Sequence, residues 1–127
     1  MSVTQAVARR AIWGLFLAGP IIWFGHFMIV YLMGETWCSA DDSAEEILGL
    51  PVLSFVTVVV TVVAAGVTLV FAEIAHRRWR ARADNRSDWL DGDDRNAGLA
   101  LAGALMGMLF AFAILFVGLP AAFLVPC

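Results

Sequence analysis

The segment from residue 97 to residue 119 reads AGLALAGALMGMLFAFAILFVGL and contains no charged side chain. An α-helix needs roughly 20 residues to cross about 30 Å of hydrocarbon, so a segment of this length and composition predicts a transmembrane helix. Residues 11–33 and 50–72 form two further stretches without Asp, Glu, Lys or Arg. The sequence therefore predicts an all-α integral membrane bundle of three transmembrane helices, with residues 1–127 forming a single domain.

The composition of the chain is that of a protein surrounded by lipid. Of its 127 residues 61% are hydrophobic and 15% are charged, whereas soluble domains average about 45–50% apolar and about 25% charged residues. A soluble domain of this composition would expose more apolar surface than water tolerates. The chain has no room for a separate soluble module, and its net charge of −3 argues against nucleic acid as a partner.

The arginines set the predicted orientation of the three spans. Arg9 and Arg10 precede the first span, and the other six arginines lie between the second and third. The loop of residues 34–49 contains no Lys or Arg. Positively charged loops stay on the cytoplasmic side, so the N-terminus is predicted inside and the C-terminus outside. Four arginines that follow the second span either attract anionic lipid or serve only to fix the topology: Arg77, Arg78, Arg80 and Arg82.

Small residues spaced along each span predict where the helices pack. Helices in lipid associate by close backbone approach, which small side chains at four-residue spacing allow. The third span offers Gly103, Gly107 and Ala111, opposite a face of larger side chains such as Leu105 and Leu109. The corresponding stripes of the other two spans consist of Thr57, Thr61, Ala65 and Thr68, and of Gly14, Ala18 and Gly25. Three such faces offer more contact surface than a three-helix bundle uses internally, so the remainder packs either in a homodimer or against a larger partner.

His26 is the only ionisable residue well inside a predicted span. Ionisable groups are costly in lipid and often functional, so His26 is a candidate haem or copper ligand or a member of a proton relay. The alternative is a neutral imidazole bonded to a backbone carbonyl or to a neighbouring helix. His76, the other histidine, lies beyond the inner end of the second span, about 20 Å away along the membrane normal. One iron cannot reach both rings.

The other side chains that could bind a metal or act in catalysis are scattered along the chain. Metal sites need clustered ligands, and no cluster is visible in the sequence, so we predict no cofactor and no metal site. No serine has a histidine or carboxylate at a spacing that would activate it as a nucleophile. We therefore predict that the protein is not an enzyme.

The two cysteines, Cys38 and Cys127, follow the first and third spans and are both predicted outside. Disulfides persist in oxidising compartments, so we predict a Cys38–Cys127 bridge. In the chain-entropy model, such a bridge closes a loop of about 90 residues and adds a few kcal/mol of stability. Free thiols and copper ligands are the alternatives.

The outer half of the first span carries a distinctive pattern. Residues 19–31 read GPIIWFGHFMIVY, and Glu35 and Cys38 follow. This G-P-x-x-W-x-x-H-F-x-x-x-Y run, with a cysteine near the outer end, resembles small bacterial membrane proteins associated with haem-copper cytochrome c oxidases. The resemblance implies an accessory subunit of a terminal oxidase in the bacterial plasma membrane, without redox centres of its own. It also implies that Trp23, His26 and Tyr31 are held against a neighbour, and that the partner complex is that of the oxidase core subunits.

The outer loop is purely acidic, which fits the same implication. Its five carboxylates could attract a basic electron carrier such as a cytochrome c domain, unless the loop simply avoids Lys and Arg for topological reasons. An assembly factor or small carrier that handles copper or haem for the oxidase is the alternative function. The acidic residues are Glu35, Asp41, Asp42, Glu45 and Glu46.

Overall fold

Three long helices make up most of the molecule. The computed structural model describes residues 2–40, 46–84 and 94–124. Helix α1 covers Val3–Ser39, α2 covers Val52–Asp84 and α3 covers Asp94–Phe123. Each contains a stretch long and apolar enough to cross a membrane, with mean hydropathies of 1.9, 2.5 and 2.5. The prediction of an all-α membrane bundle of three helices is confirmed.

The helices extend well beyond the apolar spans that predict them. Helix α2 continues for 12 residues past Ala72, the end of its predicted span, through the arginine-rich segment to Asp84. The four-residue spacing of Glu73 and Arg77 predicts this extension, and Arg77 Nε donates to Glu73 Oε1 at 2.8 Å. Such a pair joins adjacent turns of a helix. The end of the apolar span therefore does not end the helix.

A short hairpin precedes α2 and corrects the predicted start of the second helix. Strand β1, Glu46–Ile47, pairs antiparallel with strand β2, Leu50–Pro51, and the helix begins only at Val52. The proline accounts for this boundary, because the residue before a proline is pushed out of the helical region into extended backbone. The turn between the strands has φ of 55° at Leu48 and 77° at Gly49. Positive φ at both central residues is the pattern of a type I′ turn.

Helices α2 and α3 form the most extensive helix pair of the bundle. They run antiparallel, with Gly107 against Ala72 and Gly118 against Thr61. A Cβ on Gly107 would lie 2.8 Å from Ala72 Cβ, and a Cβ on Gly118 would lie 2.8 Å from Thr61 Cβ. Both separations are closer than carbon atoms normally approach. Only glycine therefore allows the two backbones to come this near.

The predicted packing stripes of α2 and α3 are confirmed. The larger side chains lie on the opposite face of α3 and are exposed, Leu105 to 60% and Leu109 to 61%. Since these side chains lie in the apolar span, their exposure is exposure to lipid. The buried stripe residues are Thr57, Thr61, Ala65 and Thr68 on α2, and Gly103, Gly107 and Ala111 on α3.

Helix α1 packs through a different face from the one that its small residues predict. Among the residues of α1 whose side chains are described, only Ile12, Gly19 and His26 are buried. They recur every seven residues and form a single seam, as in coiled coils. At 100° per residue, Gly14 lies about 200° around the helix from Ile12. A Cβ on Gly14 or Gly25 would meet no atom within 4 Å, so these two glycines of the predicted stripe make no close contact within this chain. That the stripe packs against another chain stays a prediction.

Candidate functional site

His26 forms a buried hydrogen bond across the helix interface. Its side chain is 2% exposed, and its Nε2 lies 3.0 Å from Thr61 Oγ1 on α2, which is fully buried. The other two buried threonines of α2 use their hydroxyls differently, because Thr57 donates to Leu53 O and Thr68 donates to Ala64 O within the same helix. Thr61 is therefore the threonine of the stripe whose hydroxyl links α2 to α1. This is the neighbouring-helix contact that the sequence left open.

All three helices meet at the level of Thr61. The residue lies between His26 of α1 and Gly118 of α3. A methyl group on Gly118 would collide with the Oγ1, Cγ2 and Cβ atoms of Thr61. Because position 118 has no side chain, α3 can pack directly against Thr61, the residue that is hydrogen-bonded to His26. Sequence reasoning placed Thr61 and Gly118 in apolar spans but could not pair either with His26.

Two nitrogens of the motif have no partner in the described part of the chain. His26 Nδ1 and Trp23 Nε1 are both buried and make no hydrogen bond there. Buried polar atoms are nearly always paired in native proteins, so each requires a reason. The residues that the structure describes also contain no group of three His, Cys, Asp or Glu side chains that could hold a metal ion. That no cofactor is bound stays a prediction.

The aromatic residues of the motif form a row along α1. The ring centroids of Trp23 and Phe27 are 6.1 Å apart and those of Phe27 and Tyr31 are 6.3 Å apart, both in stacked arrangements. Trp23 also contacts Phe110 of α3, with the centroids 5.7 Å apart. The row runs from the α1–α3 interface outward, since Phe27 is 39% and Tyr31 is 55% exposed. In the motif, Trp23 and His26 therefore pack against the other helices of the bundle, whereas Phe27 and Tyr31 lie on its exposed surface.

The end of the bundle that contains Cys38, which is predicted to lie outside, has a cavity of about 470 Å³ between the three helices. Tyr31, Glu35 and Cys38 are among the lining residues from α1. Leu53 and Thr57 line the cavity from α2, and Ala121 lines it from α3. Cys38 is disulfide-bonded. Cys127 lies outside the described residues, so its pairing with Cys38 stays a prediction. Glu46 is exposed at the start of β1, whereas Asp41, Asp42 and Glu45 also fall outside the described residues.

The opposite end of the bundle, which is predicted to lie inside, carries the basic residues on the extension of α2. Arg77 is engaged with Glu73, while Arg78 and Arg80 are exposed. Arg82 lies near the end of the same helix. Trp79 is half-buried and its ring centroid lies 5.6 Å from that of His76. Indole rings prefer the membrane interface, so this contact fits a helix that passes from lipid into water near Trp79.

No family model, curated protein or solved structure matches this chain.

Proposed function

We propose that the chain is a non-catalytic accessory subunit of a bacterial respiratory complex, a haem-copper terminal oxidase in the plasma membrane. The observation that carries this proposal is the exposure of the helix that bears the motif. Helix α1 is the least buried of the three, and Phe24, Phe27 and Tyr31 of its outer half are 57%, 39% and 55% exposed. A neighbouring membrane protein can cover this surface, and the resemblance implies the oxidase core subunits.

The packing of α1 supports attachment through its free surface. Helices in lipid associate through van der Waals contact and close backbone approach at small residues. Gly14 and Gly25 of α1 face open space in this chain. His26, by contrast, is held by Thr61 inside the bundle. The internal contact fixes the orientation of α1, and the remaining surface is left for a partner helix.

Charged residues at the two ends of the bundle also support the proposal. At the outer end, Glu35 and Glu46 are exposed, and the sequence contains no Lys or Arg between Arg10 and Arg77. Such a surface favours encounter with a basic cytochrome c-type donor. At the inner end, exposed Arg78 and Arg80 can contact anionic lipid at about 1 kcal/mol per residue.

The alternative function, a carrier or assembly factor for copper or haem, has less support. A carrier needs ligands that are near one another and able to coordinate. His26 is hydrogen-bonded to Thr61, and Cys38 is in a disulfide. The two residues are also 12 positions apart on α1, or about 18 Å along the helix axis. One metal ion cannot bridge that separation.

Purification of the tagged chain from native membranes in mild detergent tests the proposal. We expect the oxidase core subunits to co-purify and the preparation to show their haem spectrum. Replacing the exposed motif rings, Phe27→Ala with Tyr31→Ala, should remove the oxidase from the preparation. The matched control is Phe112→Ala with Phe116→Ala, a stacked pair on α3 that is 66% and 70% exposed.

The control pair should retain the oxidase, because it removes two rings that are more exposed than the motif rings from a helix without the motif. Purification of the chain without any haem protein would contradict the proposal. Copper or haem bound stoichiometrically by the isolated chain would favour the carrier function instead.

A further inference from the structure

The turn of the hairpin before α2 contains a leucine, Leu48, that the bundle does not cover. The pairs Glu46 with Pro51 and Ile47 with Leu50 leave Leu48 and Gly49 as the turn. Leu48 is 87% exposed, and a Cβ on Gly49 would meet no atom within 4 Å. Of the three helices in the described structure, the hairpin contacts only α2. The tip therefore projects from the outer end of the bundle.

The conformation of Leu48 is unfavourable for a leucine. Its φ of 55° lies in the left-handed region, where the Cβ of an L-residue crowds the following carbonyl oxygen. Two-residue turns with positive φ at both positions prefer Asn, Asp or Gly at the first position. Asparagine at position 48 would suit both the turn and the surrounding water better. Strained backbone of this kind is concentrated at functional sites.

The surroundings of the tip combine apolar and acidic groups. Ile47 and Leu50 flank Leu48 and are 42% and 43% exposed, so the apolar surface extends beyond one side chain. Glu46 stands beside this surface and is exposed, and Glu35 is exposed at the outer end of α1. An apolar centre with a charged rim is the usual arrangement of a protein interface.

We propose that Leu48 is the central apolar contact of a docking surface for a water-soluble protein domain with a basic rim around an apolar pocket. This inference rests on the proposed function and names the element that would recognise the basic donor. Leu48 fills the pocket and limits dissociation, while Glu46 and Glu35 attract the basic rim and speed encounter.

Charge complementarity selects a protein rather than the lipid surface as the occupant. Insertion of Leu48 into the outer leaflet would draw the Glu46 carboxylate toward hydrocarbon and toward the phosphates of the headgroups. Both effects oppose insertion. A basic protein surface instead gains from the same carboxylate.

The test uses the full chain in nanodiscs of phosphatidylcholine and a soluble basic c-type cytochrome as the probe. We expect measurable binding at low ionic strength that weakens as salt is added, and no binding of an acidic c-type cytochrome. Leu48→Asn should weaken binding by about tenfold or more, as expected for a buried anchor. The same variant should unfold no more easily than the wild type, because asparagine relieves the backbone strain.

Leu124→Asn is the matched control, since Leu124 is an outer leucine that is 73% exposed but not on the hairpin. It should bind the basic cytochrome as the wild type does. Equal affinities of Leu48→Asn and the wild type would overturn the inference, as would a wild type that does not bind at all. Neither result would affect co-purification with the oxidase, which tests the proposed function separately.

A photo-reactive phenylalanine analogue at position 48 provides a second, independent measurement. Cross-links to the basic cytochrome support the inference. Cross-links to phosphatidylcholine alone would overturn it in favour of insertion of the hairpin into the membrane surface.

Discussion

Two glycines of α3 and two glycines of α1 have opposite surroundings. In α3, Gly107 and Gly118 stand where a methyl group would collide with Ala72 and Thr61 of α2. In α1, by contrast, Gly14 and Gly25 have no neighbouring atom that a methyl group would meet. Gly107 and Gly118 allow close packing within the chain, as does Gly19 of α1 against Gly107. Gly14 and Gly25 instead leave space that the chain does not fill.

This difference divides the bundle into a tightly packed platform and a more loosely attached helix. The platform consists of α2 and α3, whose buried faces are lined by small residues. Helix α1 is joined to it by the seam of Ile12, Gly19 and His26. In the described structure, the hydrogen bond between His26 and Thr61 is the polar side-chain contact between α1 and this platform.

Adding a methyl group at Gly118, where α3 lies close to Thr61, should have the largest effect on stability. A methyl group in Gly118→Ala would collide with three side-chain atoms of Thr61, which is fully buried and bonded to His26. We expect a loss of about 2–3 kcal/mol, the upper part of the range of about 1–3 kcal/mol for overpacking a well-packed interior. Unfolding of the purified chain by titration with a denaturing detergent measures this loss.

Gly98→Ala is the control for this substitution, because Gly98 lies on the same helix and has open space around it. It should leave the unfolding midpoint unchanged or raise it. If both variants unfold alike, the close contact between α3 and Thr61 is not a determinant of stability.

Removing the hydroxyl of Thr61 should have the next largest effect. In Thr61→Val, His26 Nε2 loses the one hydrogen bond that the described structure gives this side chain. Cross-helix bonds in membranes contribute about 0.6–2 kcal/mol, and we expect a loss in this range. Thr68→Val is the control, since its hydroxyl bonds to Ala64 O within its own helix, and it should cost less.

A double-mutant cycle isolates this bond from the packing of the two side chains. His26→Leu should remove most of the effect of Thr61→Val, because the two residues act through one contact. Additive effects of the two substitutions would show that the bond contributes nothing to the attachment of α1.

The sequence predicts the platform better than it predicts α1. Apolar length identifies the three helices, and on α2 and α3 the contrast between small and large side chains marks the buried face. On α1 that contrast is misleading, because in lipid an apolar face can be exposed without cost. The seam of Ile12, Gly19 and His26 mixes three residue types at seven-residue spacing, so no single property reveals it.

The candidate site was only partly predictable for the same reason. His26 stands out as the one ionisable residue within an apolar span, but its partner depends on the relative register of α1 and α2. Nothing in the local sequence distinguishes Thr61 from Thr57 or Thr68. The hairpin escaped prediction because Leu48 occupies a turn position that usually holds Asn, Asp or Gly.

The smallest expected effect is that of replacing Gly14 or Gly25 of α1 by alanine. This change should stabilise the chain slightly rather than destabilise it. Glycine in a helix is less stable than alanine by about 0.5–1 kcal/mol, and no atom opposes a methyl group at Gly14 or Gly25. Gly14→Ala and Gly25→Ala should therefore leave the isolated chain as stable as the wild type or slightly more stable in the same detergent titration. If either glycine receives a partner helix, that substitution should instead reduce co-purification of the partner. Destabilisation of the isolated chain would mean that α1 packs within its own bundle through this face, and the distinction between the platform and α1 would fail.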